Sequence, residues 1–448
     1  MYVCQEFKQL LTLIDMKKTI TFLAAIMLVL PFQAKDKKEI IKSGWNFGPL
    51  PVVGFDSDLG FQYGLCCDIF NYGDGSNYPR YDYKINVEAS TYTKGSSVLR
   101  SYGDFKNLIP DGKFFYDVTY FNAPKFGFYG YNGFASPFNP EYMEPKAGML
   151  ITDPEAKSGF NFMSRNQFRV VASMQKKISG PLNWAAGIAY YNISTSALDI
   201  EDYRTQNTLY EKYVAKGLVR ENEKDGGNVT QLRGGLVFDN RDHDSDPTRG
   251  FNIEATLFYS PDLIDGEGYS NLGFTFMGSQ FIPVVSDRLT FAYRLLVQAK
   301  LWGDIPYYFT NNINTMFFRK MYTEGIGGNA SVRGLNRNGV LGDGFGMLNA
   351  ELRWRAIDFK LINQNWTVAF NPFFDAGKVL QQYRLEEQKQ IADNTVWSGN
   401  EDGIHCTAGG GVKLIMNHNM VVSFEAAKAM DKNDGNGLWT NIGFNYLF

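Results

Sequence analysis

Cysteine and histidine are scarce in this chain, and their positions exclude most metal and disulfide chemistry. Four cysteines and three histidines occur among 448 residues. Cys66 and Cys67 are adjacent, whereas Cys4 and Cys406 lie far away from them. Neither zinc sites nor disulfide frameworks have this spacing, and the histidines are equally scattered. We therefore expect no metal ion and no other cofactor.

Charged residues and long apolar runs are also few. Charged residues make up 20% of the chain, and the net charge of −3 gives no reason to expect a nucleic-acid partner. One apolar run, residues 20–30, is well short of the roughly 20 residues that a membrane-spanning helix needs. No other continuous run reaches that length. A chain of this kind can enter a membrane only as a β-barrel.

That apolar run has the setting of a secretory signal peptide. From Met16 the sequence has two lysines, then the apolar run, then Ala34, a small residue suited to cleavage. We predict a signal peptide over residues 1–34, in which translation starts at Met16. The mature protein is then exported from the cytoplasm.

Aromatic residues and glycine are abundant. Phe, Tyr and Trp make up 15% of the chain, and there are 45 glycines, a mixture that favours strands and turns over helices. The clearest alternation runs over 288–302, where every second residue from Leu289 to Leu301 is apolar. Soluble strands are usually about five or six residues long, whereas a tilted membrane strand needs about 9–11. This segment therefore favours a membrane strand, with an apolar row facing lipid and a polar row facing a water-filled interior.

Sixteen such segments follow one another along the chain. They lie near 46–55, 60–71, 80–93, 96–107, 112–128, 160–178, 182–196, 228–240, 250–260, 268–281, 288–302, 344–358, 365–379, 404–416, 419–429 and 437–448. The four longest connections follow segments five, seven, eleven and thirteen, so all of them lie on one side of an up-and-down barrel. Long outer loops and short inner turns are typical of outer-membrane barrels. We predict an all-β fold over 46–448, a transmembrane antiparallel up-and-down barrel of 16 strands.

The first and last segments have to meet to close this barrel. Pro49 and Pro51 each remove a ladder donor from the first segment, and weak pairing there would suit a lateral gate. A frayed first strand without a gating role fits the same residues equally well. In the last segment, one face carries an apolar row: Leu438, Thr440, Ile442, Phe444, Tyr446 and Phe448.

Four motifs occupy the second half of the chain. The connection 303–343 contains GIGGNASVRGLNRNG, strand thirteen contains FFDAG, the turn after segment eight reads FDNRDHDSDPTRGFNIEA, and the chain ends in GFNYLF. Their distinctive residues are Val332, Arg333, Gly334 and Leu335; Asp375 and Gly377; Asp239, Arg241, Pro247 and Gly250; and Tyr446 and Phe448. In order and spacing, these motifs resemble the bacterial surface antigen family, which is the BamA/TamA/FhaC superfamily of outer-membrane assembly and secretion barrels. The resemblance covers most of 228–448.

The resemblance implies that the long sixth outer loop, 303–343, folds back into the barrel. Its tip is held by an arginine that contacts an acid on the inner wall. Carried over, Arg333 is the tip arginine, Asp375 its acceptor and Glu351 a second inward acid, whereas Leu335 replaces the usual aromatic residue. An arginine in a confined interior needs a carboxylate partner. The alternative is an arginine in a surface loop and unrelated acids on the wall.

The resemblance also implies a function. Family members that insert or translocate proteins usually carry periplasmic POTRA domains, and residues 35–45 are too few for one. We expect a non-enzymatic barrel in the bacterial outer membrane. It would act with a separate periplasmic or membrane protein in assembling or translocating outer-membrane protein or lipid. Outer-membrane lipids surround it, and the aromatic chain end resembles the signal that the outer-membrane assembly machinery reads.

Two other functions remain open. The barrel could be a passive channel or a scaffold for surface loops that retains the fold but not the activity. A barrel enzyme such as a lipase is disfavoured, because the chain has no G-x-S-x-G motif.

Overall fold

A computed structural model describes residues 41–448, except for 79, 107, 140–141, 143–158, 201–207, 244, 265–267, 287, 317–324, 362–363, 417–419, 436 and 445. The predicted signal peptide, 1–34, and most of the segment 35–45 lie outside the described residues. The chain forms one closed antiparallel sheet in which each strand pairs with its neighbours in chain order. The prediction of a sixteen-stranded up-and-down barrel is confirmed.

The strand bounds lie close to the sequence pattern. The strands are β1 (Trp45–Asp56), β2 (Gly60–Asn71), β3 (Tyr83–Tyr92), β4 (Ser97–Phe105), β5 (Gly112–Gly127), β6 (Phe162–Ser179), β7 (Leu182–Ser196), β8 (Gly226–Asp239), β9 (Gly250–Ser260), β10 (Asn271–Val285), β11 (Leu289–Gly303), β12 (Gly344–Leu361), β13 (Gln364–Phe370 and Phe373–Gln381), β14 (His405–Met416), β15 (Met420–Ala429) and β16 (Trp439–Phe444).

Strand β13 is one strand with a break. Both of its pieces pair with β12 on one side and β14 on the other. Pro372 cannot donate to the ladder, and the chain crosses this point through Asn371, whose N–H donates to Gly411 O at 3.0 Å. The break therefore changes the local path of the strand but not the number of strands.

Strand β11 shows how the alternation builds the wall. Phe291, Leu295 and Leu301 are exposed on its outer side, where lipid lies, whereas Arg294 and Gln298 are buried inside. Described residues of the connection 304–343 lie inside the barrel, as the resemblance implied. They form an apolar cluster with the wall: Met277, Leu296, Ile326, Val332, Leu335, Val340, Phe345, Met347, Val379 and Ala429.

The four long connections, 128–161, 197–225, 304–343 and 382–404, all lie at the outer end, as the order of segments predicted. Their described residues include two short α-helices, α1 (Leu209–Ala215) and α2 (Leu385–Lys389). No helix among the described residues has the length and apolar character needed to cross a membrane.

Described residues of these four connections pack against each other at that end and form an outer cap. Each contributes a buried tyrosine to one aromatic cluster. The ring of Tyr131 lies 4.9 Å from that of Tyr213 and 4.8 Å from that of Tyr383, and Phe128 links the cluster to Tyr307 at 6.4 Å. This cap covers the outer end of the barrel.

The junction between β1 and β16, called the seam below, is the shortest in the barrel. Two residue pairs join the strands, Phe55 with Ile442 and Asp56 with Asn441, whereas fourteen pairs join β5 to β6. Within the described residues, the stretch of β1 from Trp45 to Gly54 pairs with β2 but not with β16.

The end of the last strand differs from the prediction. Strand β16 ends at Phe444, and Tyr446, Leu447 and Phe448 are buried inside the barrel instead of sharing the outward face of Leu438. Among the described residues, Tyr446, Leu447 and Phe448 pair with neither β1 nor β15. They lie inside the barrel, where Leu447 and Phe448 pack against the apolar side chains of Phe281 and Ala292.

Candidate functional site

The tip of the connection 304–343 is a compact loop inside the barrel. An isolated bridge closes it, in which Ile326 and Val340 exchange two backbone hydrogen bonds of 3.2 and 3.0 Å. Within it, Gly328 N donates to Leu335 O at 3.1 Å, and the Ser331 hydroxyl donates to Gly327 O at 3.0 Å. These hydrogen bonds within the loop define the shape of the tip independently of its contacts with the wall.

Arg333 lies at this tip with its side chain completely buried. Its Nε donates to Asp375 Oδ2 at 2.8 Å and its Nη2 to Asp375 Oδ1 at 2.9 Å, which is a bidentate pair. Its Nη1 donates to Glu351 Oε1 at 2.6 Å and to Glu425 Oε1 at 2.8 Å. The guanidinium carbon lies 3.5 Å from the ring centroid of Phe373, a cation–π contact.

Two further cations complete this cluster, which we call the Arg333 site. Lys413 Nζ donates to Glu425 Oε1 at 2.7 Å, and Arg353 Nε donates to Glu351 Oε2 at 2.8 Å. The site therefore holds three cations and three carboxylates, so that its charges balance where burial would make an unpaired charge costly.

The sequence interpretation did not include Glu425, Lys413 or Phe373 in this site. Strand alternation identifies which face a residue points to, and all three face inward. It does not indicate which inward-facing residues of different strands lie at the same height along the barrel axis as the loop tip. That depends on the stagger between strands, which the sequence motifs did not supply.

Two glycines make room for the contact between the loop and the wall. Gly334 has φ +99°, and a Cβ there would lie 3.1 Å from Ala427 Cβ. On the wall, a Cβ at Gly377 would lie 2.8 Å from a methyl carbon of Ile326 and 3.0 Å from one of Val332. Glycine in both motifs thus permits close approach.

The structure brings the residues of the two central motifs together. Arg333 and Gly334 contact the inner wall, Asp375 and Gly377 receive them, and Leu335, 2% exposed, packs into the apolar cluster. The arrangement can fix a loop inside a barrel. Among the described residues, no group of three or more His, Cys, Asp or Glu side chains could hold a metal ion.

The chain also matches a known protein family. A family model described as the Omp85 superfamily domain matches residues 116–446, more than half of the chain. The chain belongs to the Omp85 superfamily. It is accordingly a protein of the bacterial outer membrane.

Solved structures resemble this Omp85 barrel in fold. BamA from Haemophilus ducreyi lacking POTRA domains 1–3 aligns with a TM-score of 0.53 and 14% identity, over 90% of this chain and 70% of that one. CdiB from Escherichia coli aligns with a TM-score of 0.52 and 12% identity, over 92% of this chain and 67% of that one. A search of curated protein sequences found no match.

The turn motif of this Omp85 barrel lies at the opposite end from the cap and apart from the Arg333 site. Arg241 Nη2 pairs with Asp239 Oδ2 at 2.7 Å. Gly250 has φ +105°, and a Cβ there would lie 2.6 Å from Asn240 O, so glycine is required. Pro247 is buried in the same turn. These contacts shape the turn between β8 and β9.

The last residues of the chain reach the Arg333 site through Arg353. Arg353 Nη2 donates to Phe448 O at 2.9 Å, and its guanidinium carbon lies 3.9 Å from the ring centroid of Tyr446. Because Arg353 also pairs with Glu351, a continuous series of contacts runs from the loop tip to the residues that follow β16.

Proposed function

We propose that this barrel assembles or translocates outer-membrane protein or lipid through its seam, together with a separate partner protein. An assembly or secretion role at the level of the superfamily follows from membership. The route through the seam and the partner go beyond that membership. The observation that carries the proposal is the two-pair closure between β1 and β16.

A short ladder makes this junction the weakest point of the wall. Barrels cross membranes because every strand finds its backbone partners in a closed ladder. Here β16 has six pairs with β15 but two with β1. Among the described residues, separating β1 from β16 breaks fewer ladder pairs than separating any other two neighbouring strands, so an opening to the membrane would form there first.

The two prolines of β1 add to this weakness in a directional way. In an antiparallel ladder, the N–H and C=O groups of successive residues point to alternate neighbours. Gly44 O accepts from Tyr72 N on the β2 side, at 3.0 Å, whereas Ser57 N donates to Thr440 O on the β16 side, at 3.2 Å. Pro49 and Pro51 each lie an even number of positions before Ser57, so their backbone groups point to the same side as those of Ser57. The N–H donors that the two prolines lack are therefore missing from the edge of β1 that faces β16.

The interior contacts favour this proposal over a passive open channel. The connection 304–343 fills the interior around the Arg333 site, and the outer cap covers the outer end with a buried aromatic cluster. A scaffold for surface loops remains the second candidate function, because the interlocked cap is a rigid outer surface. The two candidates differ in whether the seam has to open.

A disulfide across the seam tests this difference. Phe55→Cys with Ile442→Cys joins residues that lie directly opposite each other, at the spacing that disulfides accept. Val170→Cys with Tyr190→Cys is the matched control, an opposed pair in β6 and β7. In a strain that lacks the native gene, we expect the control to restore outer-membrane protein and lipid composition. The seam variant should do so after reduction but not when oxidised.

Two results would contradict the proposal. If the oxidised seam variant restores composition as well as the control does, the seam does not open during function and the scaffold is favoured. Steady single-channel conductance of the unmodified protein in a planar bilayer would instead favour the passive channel. The partner is tested by crosslinking in native membranes, where we expect one protein to be recovered through residues at the inner end of β1.

A further inference from the structure

A second arginine of the loop tip, Arg337, contacts the seam. Its Nη2 lies 2.6 Å from Asp56 Oδ2, and both side chains are 4% exposed. Its backbone N donates to Asp58 Oδ2 at 2.7 Å. Asp56 is the last residue of β1 and Asp58 lies in the turn that follows, so the loop binds the outer end of β1 through both side chain and main chain.

Asn329, on the other arm of the tip, bridges the two strands of the seam. Its Nδ2 donates to Asp56 Oδ2 at 3.2 Å and to Asn441 Oδ1 at 3.1 Å. Asp56 and Asn441 are opposed residues of β1 and β16 and form one of the two pairs that close the barrel. One loop side chain is thus bonded to both sides of that pair.

The two carboxylate oxygens of Asp56 have different partners, one in its own turn and one in the loop. Its Oδ1 accepts from the backbone N of Asp58 at 2.8 Å and of Leu59 at 3.3 Å, which orders the turn between β1 and β2. Its Oδ2 is left for Arg337 and Asn329. The outer end of β1 is therefore held in place by its own turn and by the loop at once.

We propose that Arg337 and Asn329 hold the seam closed at its outer end, so that the position of the loop tip controls the opening of the barrel wall. This rests on the proposed function, in which the seam opens. Arg333 fixes the same tip to Asp375 of β13, Glu351 of β12 and Glu425 of β15. A displacement of the tip would therefore remove its bonds to Asp56, Asp58 and Asn441 together, leaving two residue pairs and the bonds between Ser57 and Thr440 to hold the junction.

Backbone hydrogen exchange at the seam tests this inference on the full-length protein in lipid nanodiscs. Ser57 N and Thr440 N are both bonded across the seam, to Thr440 O at 3.2 Å and to the Ser57 hydroxyl at 2.7 Å, and exchange at such groups reports local opening. We expect Arg337→Gln to speed exchange in peptides around both residues by about ten-fold, the equivalent of losing a hydrogen bond to a charged group. Asn329→Ala should act in the same direction but less strongly.

The matched control is Arg165→Gln, which removes a buried arginine of β6 away from the seam. Arg165 donates to Gln167 at 3.0 Å and lies over the Phe126 ring, so its replacement should leave seam exchange unchanged. Arg337→Lys retains the charge and should recover part of the protection. It also supplies a folded variant if Arg337→Gln does not give a barrel.

Protease cleavage of the connection 304–343, measured in parallel, separates a seam contact from a general loop anchor. Unchanged cleavage with faster seam exchange supports the inference. If Arg337→Gln leaves seam exchange at the native rate, or releases the loop as fully as Arg333→Ala does, the inference is overturned. These readouts need no activity, so they stand apart from the disulfide test of the proposed function.

Discussion

Arg333 and Arg337 belong to one loop tip, yet they contact two differently built parts of the barrel wall. Arg333 binds β12, β13 and β15, in a region of longer ladders, where ten residue pairs join β14 to β15. Arg337 binds the seam, where two pairs join β1 to β16. Where backbone pairing is complete, an ion pair positions the loop and adds little to the wall. Where pairing is short, a similar ion pair becomes part of the closure.

The largest expected effect is that of Arg333→Ala. It leaves the buried Asp375, Glu351 and Glu425 without their shared partner, and breaking a buried pair costs about 3–5 kcal/mol. Because Arg333 is completely buried, solvent does not reduce this cost as it would in a wet interior. The ladders remain, so we expect a folded, heat-modifiable barrel whose loop is released. Protease should then reach 304–343 from outside, and conductance should rise.

Single replacements of the acids refine this expectation. Asp375→Ala removes both bonds of the bidentate pair and should resemble Arg333→Ala. Glu351→Ala removes one bond to Arg333 and one to Arg353, and its effect on the loop should be milder because Asp375 still holds Arg333. The exchange Arg333→Asp with Asp375→Arg should recover little, because the new aspartate would face Glu351 and Glu425. Native protease resistance in Arg333→Ala would show that this arginine does not hold the loop.

A smaller effect is expected from Gly377→Ala, which tests the fit of the tip without changing a charge. The new Cβ would lie 2.8 Å from Ile326 Cγ2, and overpacking of this kind costs about 1–3 kcal/mol. Gly234→Ala, with nothing within 4 Å of its Cβ, is the control. We expect faster loop cleavage for Gly377→Ala alone; equal rates in both variants would mean that the wall tolerates a side chain under the tip.

Strengthening the seam should have a smaller effect still. Pro49→Val with Pro51→Val returns two donors to the edge of β1 that faces β16, each worth about 1 kcal/mol if it finds a partner. The existing register would place Val53 opposite Phe444. We expect Val53→Cys with Phe444→Cys to form a disulfide more readily in the proline variant than in the native background. An unchanged yield would show that the prolines do not limit pairing.

The smallest expected effect concerns pH at the seam. Burial, and next the charge of Asp56, raise the pKa of the Asp58 carboxyl in the outer turn to about 7, while Arg337 and Lys94 oppose the shift. The folded state then binds a proton more readily than the open state, so the contact gains stability as pH falls from about 7 toward 4. Seam exchange, corrected for its intrinsic pH dependence, should slow over this range, and Asp58→Asn should remove that change.

Much of the wall could be predicted because its causes are local. Alternation over 289–301 identified which residues of β11 face lipid. The alternation within β12 and β13 likewise placed Glu351 and Asp375 inside the barrel. The partners of Arg337 could not be found this way. Asp56 and Arg337 lie 281 positions apart in the chain, and no pattern along a strand indicates which inner residues a loop will meet.

The errors have equally physical reasons. The apolar residues on the inner face of β11, such as Ala292 and Leu296, were exceptions to a polar row. In the structure they face the end of the chain and the loop tip. The alternation in 437–448 continued past the point where β16 has partners, so periodicity alone predicted a strand as far as Phe448, whereas β16 ends at Phe444.

The unpaired edge of β1 also has a consequence for the bilayer. Carbonyl and amide groups without partners cost several kcal/mol each in hydrocarbon, so water or lipid head groups have to approach the stretch from Trp45 to Gly54. We therefore expect the inner leaflet to be thinner beside the barrel, even while Arg337 holds the outer end. Alternate residues of this stretch face the edge, so five carbonyls and three amide N–H groups need hydration, because Pro49 and Pro51 have no N–H. The two prolines thus reduce the number of polar groups that the bilayer has to accommodate.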